Sequence, residues 1–122
     1  QAAAAQLRRQ HGLILNMVDI HGMNPLKGYP AYSCAKAALI MLTRALAREL
    51  APDVRVNGIA PGPVMWPADV DAAMQAQIIG KTLLKRSGEP QDICKAALYF
   101  ATLAPFVTGQ ILAVDGGRSQ AG

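Results

Sequence analysis

Three short apolar runs, residues 13–18 (LILNMV), 54–61 (VRVNGIAP) and 111–115 (ILAVD), are separated by stretches long enough to hold full helices. A strand–helix–strand unit brings the chain back to the same end of a sheet, so strands joined this way run parallel. The spacing therefore predicts an α/β fold. Residues 2–10 read as the last turns of a helix. A long helix is expected from Pro30 or Ala31 to about Leu50, with Leu39, Leu42, Leu46 and Leu50 on one face and Ala37, Met41 and Ala45 on another. Two apolar faces predict packing against both the sheet and another helix, such as one from a neighbouring subunit. Residues 69–80 fit a short helix opening with Asp69 and Asp71. Pro90, tolerated in a first turn, opens a helix that ends near Leu103 and turns Ile93, Ala96, Ala97 and Phe100 inward.

Three strands are few for an open sheet covered on both faces, and no Gly-x-Gly-x-x-Gly phosphate loop occurs in the chain. Two readings remain, the second half of a larger domain or a minimal three-strand unit. The half-domain reading is favoured, with residues 1–122 as its C-terminal portion and the glycine-rich N-terminal half absent.

The 52% hydrophobic fraction supports a packed core, and no apolar run is long enough to span a bilayer. The first residues, QAAAAQLRRQHG, show no signal-peptide pattern. A formal charge of +4 is spread thinly, with Arg8-Arg9 and Lys85-Arg86 the only adjacent basic pairs. That distribution argues against a nucleic-acid partner and suits an anionic cofactor. Cys34 and Cys94 have neither metal-ligand nor redox spacing; amid apolar neighbours they read as buried free thiols of a reducing cytoplasm. The two histidines are far apart, so no metal site is expected.

Tyr32 and Lys36 lie four residues apart at the start of the long helix, on one face. An ammonium beside a phenol stabilises the phenolate, which predicts a lowered tyrosine pKa and a usable proton donor near neutral pH. The pair follows a strand and a Gly/Pro loop, at the end of the sheet where parallel folds bind ligands. Asp19 ends the first strand on that side and could instead cap the next turn. His21 is a tempting acid–base neighbour, but Asp-x-His in a loop more commonly satisfies local backbone. His11 precedes the strand at the opposite end. Pro61-Gly62-Pro63-Val64 forms a rigid strand end whose glycine would let backbone approach a ligand. Trp66, beside Met65, could cover a planar ring or plug the sheet edge, while Lys85 and Arg86 read as surface charges.

Together these motifs resemble the C-terminal half of a short-chain dehydrogenase/reductase over essentially the whole chain. The carrying residues are Asn16-Met17-Val18-Asp19, Tyr32-Ser33-Cys34-Ala35-Lys36, Arg55-Val56-Asn57-Gly58-Ile59-Ala60-Pro61-Gly62, Thr108-Gly109-Gln110 and Val114-Asp115-Gly116-Gly117. The resemblance implies a Rossmann-like, doubly wound parallel sheet, a nicotinamide cofactor and a homotetramer. It also implies that Tyr32 donates the proton and that Lys36 holds the nicotinamide ribose. Asn16, Met17, Val18, Pro61, Gly62 and Val64 would line the cofactor.

Position 19 departs from the common pattern. Most members carry a serine thirteen residues before the tyrosine, and a carboxylate there would repel a developing alkoxide. An aspartate at this position is similar to the pteridine reductases, as are Met17 to His21 and Pro25 to Tyr29. That likeness implies NADPH-dependent reduction of a dihydrobiopterin- or dihydrofolate-type substrate, with Asp19, Tyr32 and Lys36 catalytic and Met65 and Trp66 closing the substrate pocket. The alternative within the family is a carbonyl (3-ketoacyl-type) reductase; a catalytically silent Rossmann-like binding domain is the third reading.

Overall fold

In the computed structural model, which describes residues 1–121, the three apolar runs form a parallel sheet in the order β1-β2-β3. The strands are β1 (Leu13–Met17), β2 (Arg55–Pro61) and β3 (Ile111–Val114), and the helices are α1 (Ala4–Arg9), α2 (Pro30–Leu50), α3 (Ala72–Gly80) and α4 (Pro90–Thr102). β1 pairs with β2 from Leu13↔Arg55 to Met17↔Ile59, and β2 with β3 from Gly58↔Ile111 to Pro61↔Val114. The expected α/β class and the bounds of the long helix are borne out. Two short 3-10 turns, Ile20–Gly22 and Arg118–Gln120, follow β1 and β3; the first lies where only loop was expected.

The period-two alternation of a strand divides the core into two layers. Val56 and Ala60 of β2 face α2, joining clusters with Val18, Ile20, Ile40, Ala47, Leu50 and Val54. Ile59 points to the opposite face, where it packs with Ala96, Phe100 and Ala104. A sheet covered on both faces is why β2 reads as an unbroken buried run. Phe100, fully enclosed, is the largest side chain of its layer. Phe100→Ala is therefore expected to destabilise the protein by about 3–5 kcal/mol, read as a lowered urea midpoint at unchanged slope.

Local chemistry fixes the element ends. Pro30 opens α2, and the Ser33 hydroxyl just inside it accepts the Leu26 N–H at 3.0 Å. Asp71 caps α3 through the Met74 N–H at 2.8 Å, so the helix starts at Ala72 and Asp69 lies upstream of it. The Arg55 guanidinium donates to the carbonyls of Phe100 and Ala104, satisfying acceptors at the end of α4.

Two expectations about helix faces are corrected. The buried stripe of α2 runs through Ser33, Ile40, Thr43, Ala47 and Leu50, whereas Leu42 points outward at 49% exposure. Small residues win the sheet-facing positions because the helix lies close to β1 and β2, where the Asn16 amide reaches the Thr43 hydroxyl at 3.0 Å. Cys34 and Cys94 are free but exposed, not buried, since each lies on a helix face turned away from the sheet. Among the described residues, no helix is long and apolar enough to cross a membrane, and no group of three or more His, Cys, Asp or Glu side chains could hold a metal ion.

Candidate active site

β1 ends at Met17, and two residues later the backbone at Asp19 is still extended, with φ −157° and ψ 148°. This aims the Asp19 carboxylate across the carboxyl end of the sheet. Its two oxygens divide their work. Oδ1 accepts the His21 N–H at 2.7 Å and caps the 3-10 turn, while Oδ2 accepts the Tyr32 hydroxyl at 2.6 Å. The local capping role and the proposed partnership with tyrosine thus coexist in one side chain. The His21 ring turns away to the Asn24 carbonyl, its Nδ1 at 3.3 Å, and forms no acid–base pair with Asp19.

Gly22 fixes how closely this turn meets α2. A Cβ there would lie 2.7 Å from the Lys36 carbonyl carbon, so the loop backbone rests directly on the helix turn that carries Lys36. Any larger residue would push apart the two segments that bear Asp19 and Lys36. Lys36 Nζ stands over the Tyr32 ring, 5.7 Å from its centroid.

The expected lowering of the Tyr32 pKa is not what this geometry produces. Its pKa is raised from 10.0 to about 12, first by the hydrogen bond to Asp19, then by desolvation and by the aspartate's charge. The carboxylate is in direct contact with the phenol oxygen, whereas the ammonium faces the ring. A bond made by the protonated form and a nearby negative charge both hold the proton in place. Tyr32 is still 41% exposed, so the hydroxyl remains reachable from solvent.

A cavity of about 450 Å³ opens beside this pair, lined by Asp19, Pro61, Gly62, Met65 and Trp66 among others. Five of the site residues singled out from sequence line it; Tyr32 and Lys36 do not, and Tyr32 is joined to the lining through its hydrogen bond to Asp19. Trp66 is half-buried within the lining. Other candidates lie differently. Val64 lines a separate cavity of about 420 Å³. Val18 has its side chain in the core and offers the site only backbone, whose N–H bonds the Ile59 carbonyl. The Asn16 amide is bonded to Thr43, while Met17 is half-exposed at the strand end. Gly62 does permit a close approach, but to its own chain: a Cβ there would meet Asp115 Cα at 2.6 Å. Lys81 and Arg118 also line the 450 Å³ cavity, and sequence reasoning missed both. The only local signal for Arg118 was the Gly116-Gly117 turn directly after a strand end.

Residues 1–119 match the family described as enoyl-(acyl carrier protein) reductase. A 3alpha-hydroxysteroid dehydrogenase of Mediterraneibacter gnavus is 44% identical over 126 residues, covering 95% of this chain and 48% of the relative. A dihydromonapterin reductase of Citrobacter koseri is 42% identical over 120 residues, covering 95% and 50%. The crystal structure of a 3-oxoacyl-[acyl-carrier protein] reductase from Brucella melitensis superimposes with a TM-score of 0.89 at 32% identity, covering 98% of this chain and 47% of that one. The chain spans about half the length of the curated relatives it matches. With the parallel sheet and the Tyr32–Lys36 helix start already in hand, this match along nearly every residue establishes that the chain belongs to the short-chain dehydrogenase/reductase family.

Proposed function

We propose that this segment is the C-terminal half of an NADPH-dependent pteridine reductase, whose glycine-rich N-terminal half completes the cofactor site. The observation that carries the reading is the 2.6 Å hydrogen bond from Tyr32 to Asp19. The 42% identity to a dihydromonapterin reductase supports it. A cytoplasmic homotetramer is part of the same proposal.

The donor set suits a nicotinamide nucleotide. Lys36, its ammonium over the Tyr32 ring, is a cation for ribose hydroxyls, and the half-exposed Met17 and the Pro61-Gly62 turn offer an apolar floor at the strand ends. When bound, that group supplies the hydride. The protein's own task is the proton. Reduction of a C=N bond leaves negative charge on the ring nitrogen, a far stronger base than a phenolate. A phenol with pKa about 12 keeps its proton in water and still gives it up to such a base. Asp19 orients the hydroxyl and, as a carboxylate, can pass a replacement proton from solvent to Tyr32. Trp66 and Met65 supply flat and flexible apolar surface for a planar ring.

A second reading, a carbonyl reductase of 3-ketoacyl type, draws on the likeness to the Brucella structure. Asp19 weighs against it, because it stands where most of the family carries the serine hydroxyl that polarises a carbonyl oxygen, and an ionised carboxylate has no proton to donate to that oxygen. The two separate in a steady-state assay of NADPH oxidation by the complete enzyme. Turnover of dihydrobiopterin or dihydrofolate well above that of simple ketones is the expected result. Efficient ketone reduction with no pterin turnover would replace the pteridine reading with the carbonyl one.

A further inference from the structure

The cavity that holds Asp19 and Trp66 also receives two cations from distant parts of the chain, Lys81 after α3 and Arg118 after β3. Their arrival is built into the backbone. Gly116 and Gly117 both adopt positive φ, 59° and 76°, which turns the chain back after the β3 end. The Gly116 carbonyl then accepts the N–H groups of both Leu83 and Leu84, docking the segment that follows Lys81. The Asp115 carboxylate holds the Arg118 turn from within, accepting Gly117 N–H at 2.9 Å and Ser119 N–H at 2.7 Å. From the other side, the Asn24 amide donates to the Ser119 carbonyl at 2.7 Å, tying the turn to the loop that follows Asp19.

Each oxygen of Asp19 and of Asp115 already accepts a hydrogen bond, Asp19 from His21 N–H and Tyr32, Asp115 from the turn itself. Lys81 and Arg118 thus place two cationic side chains on the lining of one cavity. We propose that Lys81 and Arg118 form a carboxylate-recognition site, so that the preferred substrate carries an anionic substituent remote from the reduced ring. This rests on the cavity being the substrate site. Within the pteridine reading it selects a dihydrofolate-type substrate, whose tail is carboxylated, over a neutral pterin such as dihydrobiopterin. The guanidinium supplies a planar fork for a carboxylate and Lys81 a second point charge.

The test is made on the complete enzyme with Arg118→Met, Lys81→Met and Arg118→Lys. Removing either charge is expected to raise KM for dihydrofolate about tenfold, the loss of one charge-assisted hydrogen bond. KM for dihydrobiopterin, KM for NADPH and kcat should stay within about twofold of the unaltered enzyme. Arg118→Lys should recover part of the loss, which a mere packing role would not predict. The same comparison is run with a keto acid and its methyl ester. If pterins are not reduced but the keto acid is preferred in an Arg118-dependent way, the pteridine reading falls and carboxylate recognition stands. If neither charged substrate responds, or if only KM for NADPH rises, carboxylate recognition is overturned whether or not pterins are substrates.

Discussion

Replacing Tyr32 with phenylalanine is expected to lower kcat for pterin reduction by about 10²–10⁴-fold, the range for a positioned proton donor. NADPH binding, followed by fluorescence titration, should change little, because the phenol ring that sits beneath Lys36 is retained. The variant also removes only an exposed hydroxyl at the start of α2, so the fold should persist. A carbonyl reductase would lose activity equally. A silent binding domain would show no difference, and retention of full turnover would dismiss every enzymatic reading that routes the proton through Tyr32.

The second large effect is expected at Asp19. In Asp19→Asn the amide oxygen can still cap the 3-10 turn through the His21 N–H, but the position facing Tyr32 becomes an uncharged donor. Pterin turnover should fall about a hundredfold or more, and the tyrosine should become easier to ionise. In the unaltered protein the Tyr32 pKa stands at about 12 against an ordinary 10.0. The folded state thus binds the proton more tightly than the unfolded chain. Its contribution to stability is fully present below pH 10 and disappears as pH rises through about 12. In Asp19→Asn that alkaline window should close. Phenolate absorbance, taken as the difference from Tyr32→Phe at each pH, reads the shift directly. An ionisation midpoint that stays near 12 in Asp19→Asn would show that the aspartate is not what holds the proton.

Periodicity carried the architecture, because strand alternation and helix caps are local properties. The long helix was expected from Pro30 or Ala31 to Leu50 and spans Pro30–Leu50; the second strand was expected over 54–61 and spans Arg55–Pro61. Which face of α2 meets the sheet was not legible. Leucine spacing pointed through Leu42, but the close approach of β1 favours Thr43 and Ala47, and it brings together Asn16 and Thr43, residues far apart in sequence. Cys34 and Cys94 looked buried for the same reason, since apolar neighbours in sequence say nothing about which side of a helix faces out. The Tyr32–Lys36 spacing suggested the wrong direction for the tyrosine pKa. Deciding it required knowing that Asp19 Oδ2 lies 2.6 Å from the phenol while Lys36 sits over the ring. Lys81 and Arg118 were invisible for a further reason. They meet at one cavity where the Gly116 carbonyl joins the two segments, a contact with no local signature.

The proposed pterin specificity rests on Asp19. The direct measurement is the ratio of kcat/KM for a dihydropterin to kcat/KM for a simple ketone, in the complete enzyme and in Asp19→Ser. Serine restores the hydroxyl that most of the family carries and removes the carboxylate bonded to Tyr32. The ratio is predicted to favour the pterin in the unaltered enzyme and to fall by about a hundredfold in Asp19→Ser, with pterin turnover lost and ketone turnover retained or gained. A ratio unchanged by the substitution, or a ketone preference already present with Asp19 in place, would contradict it.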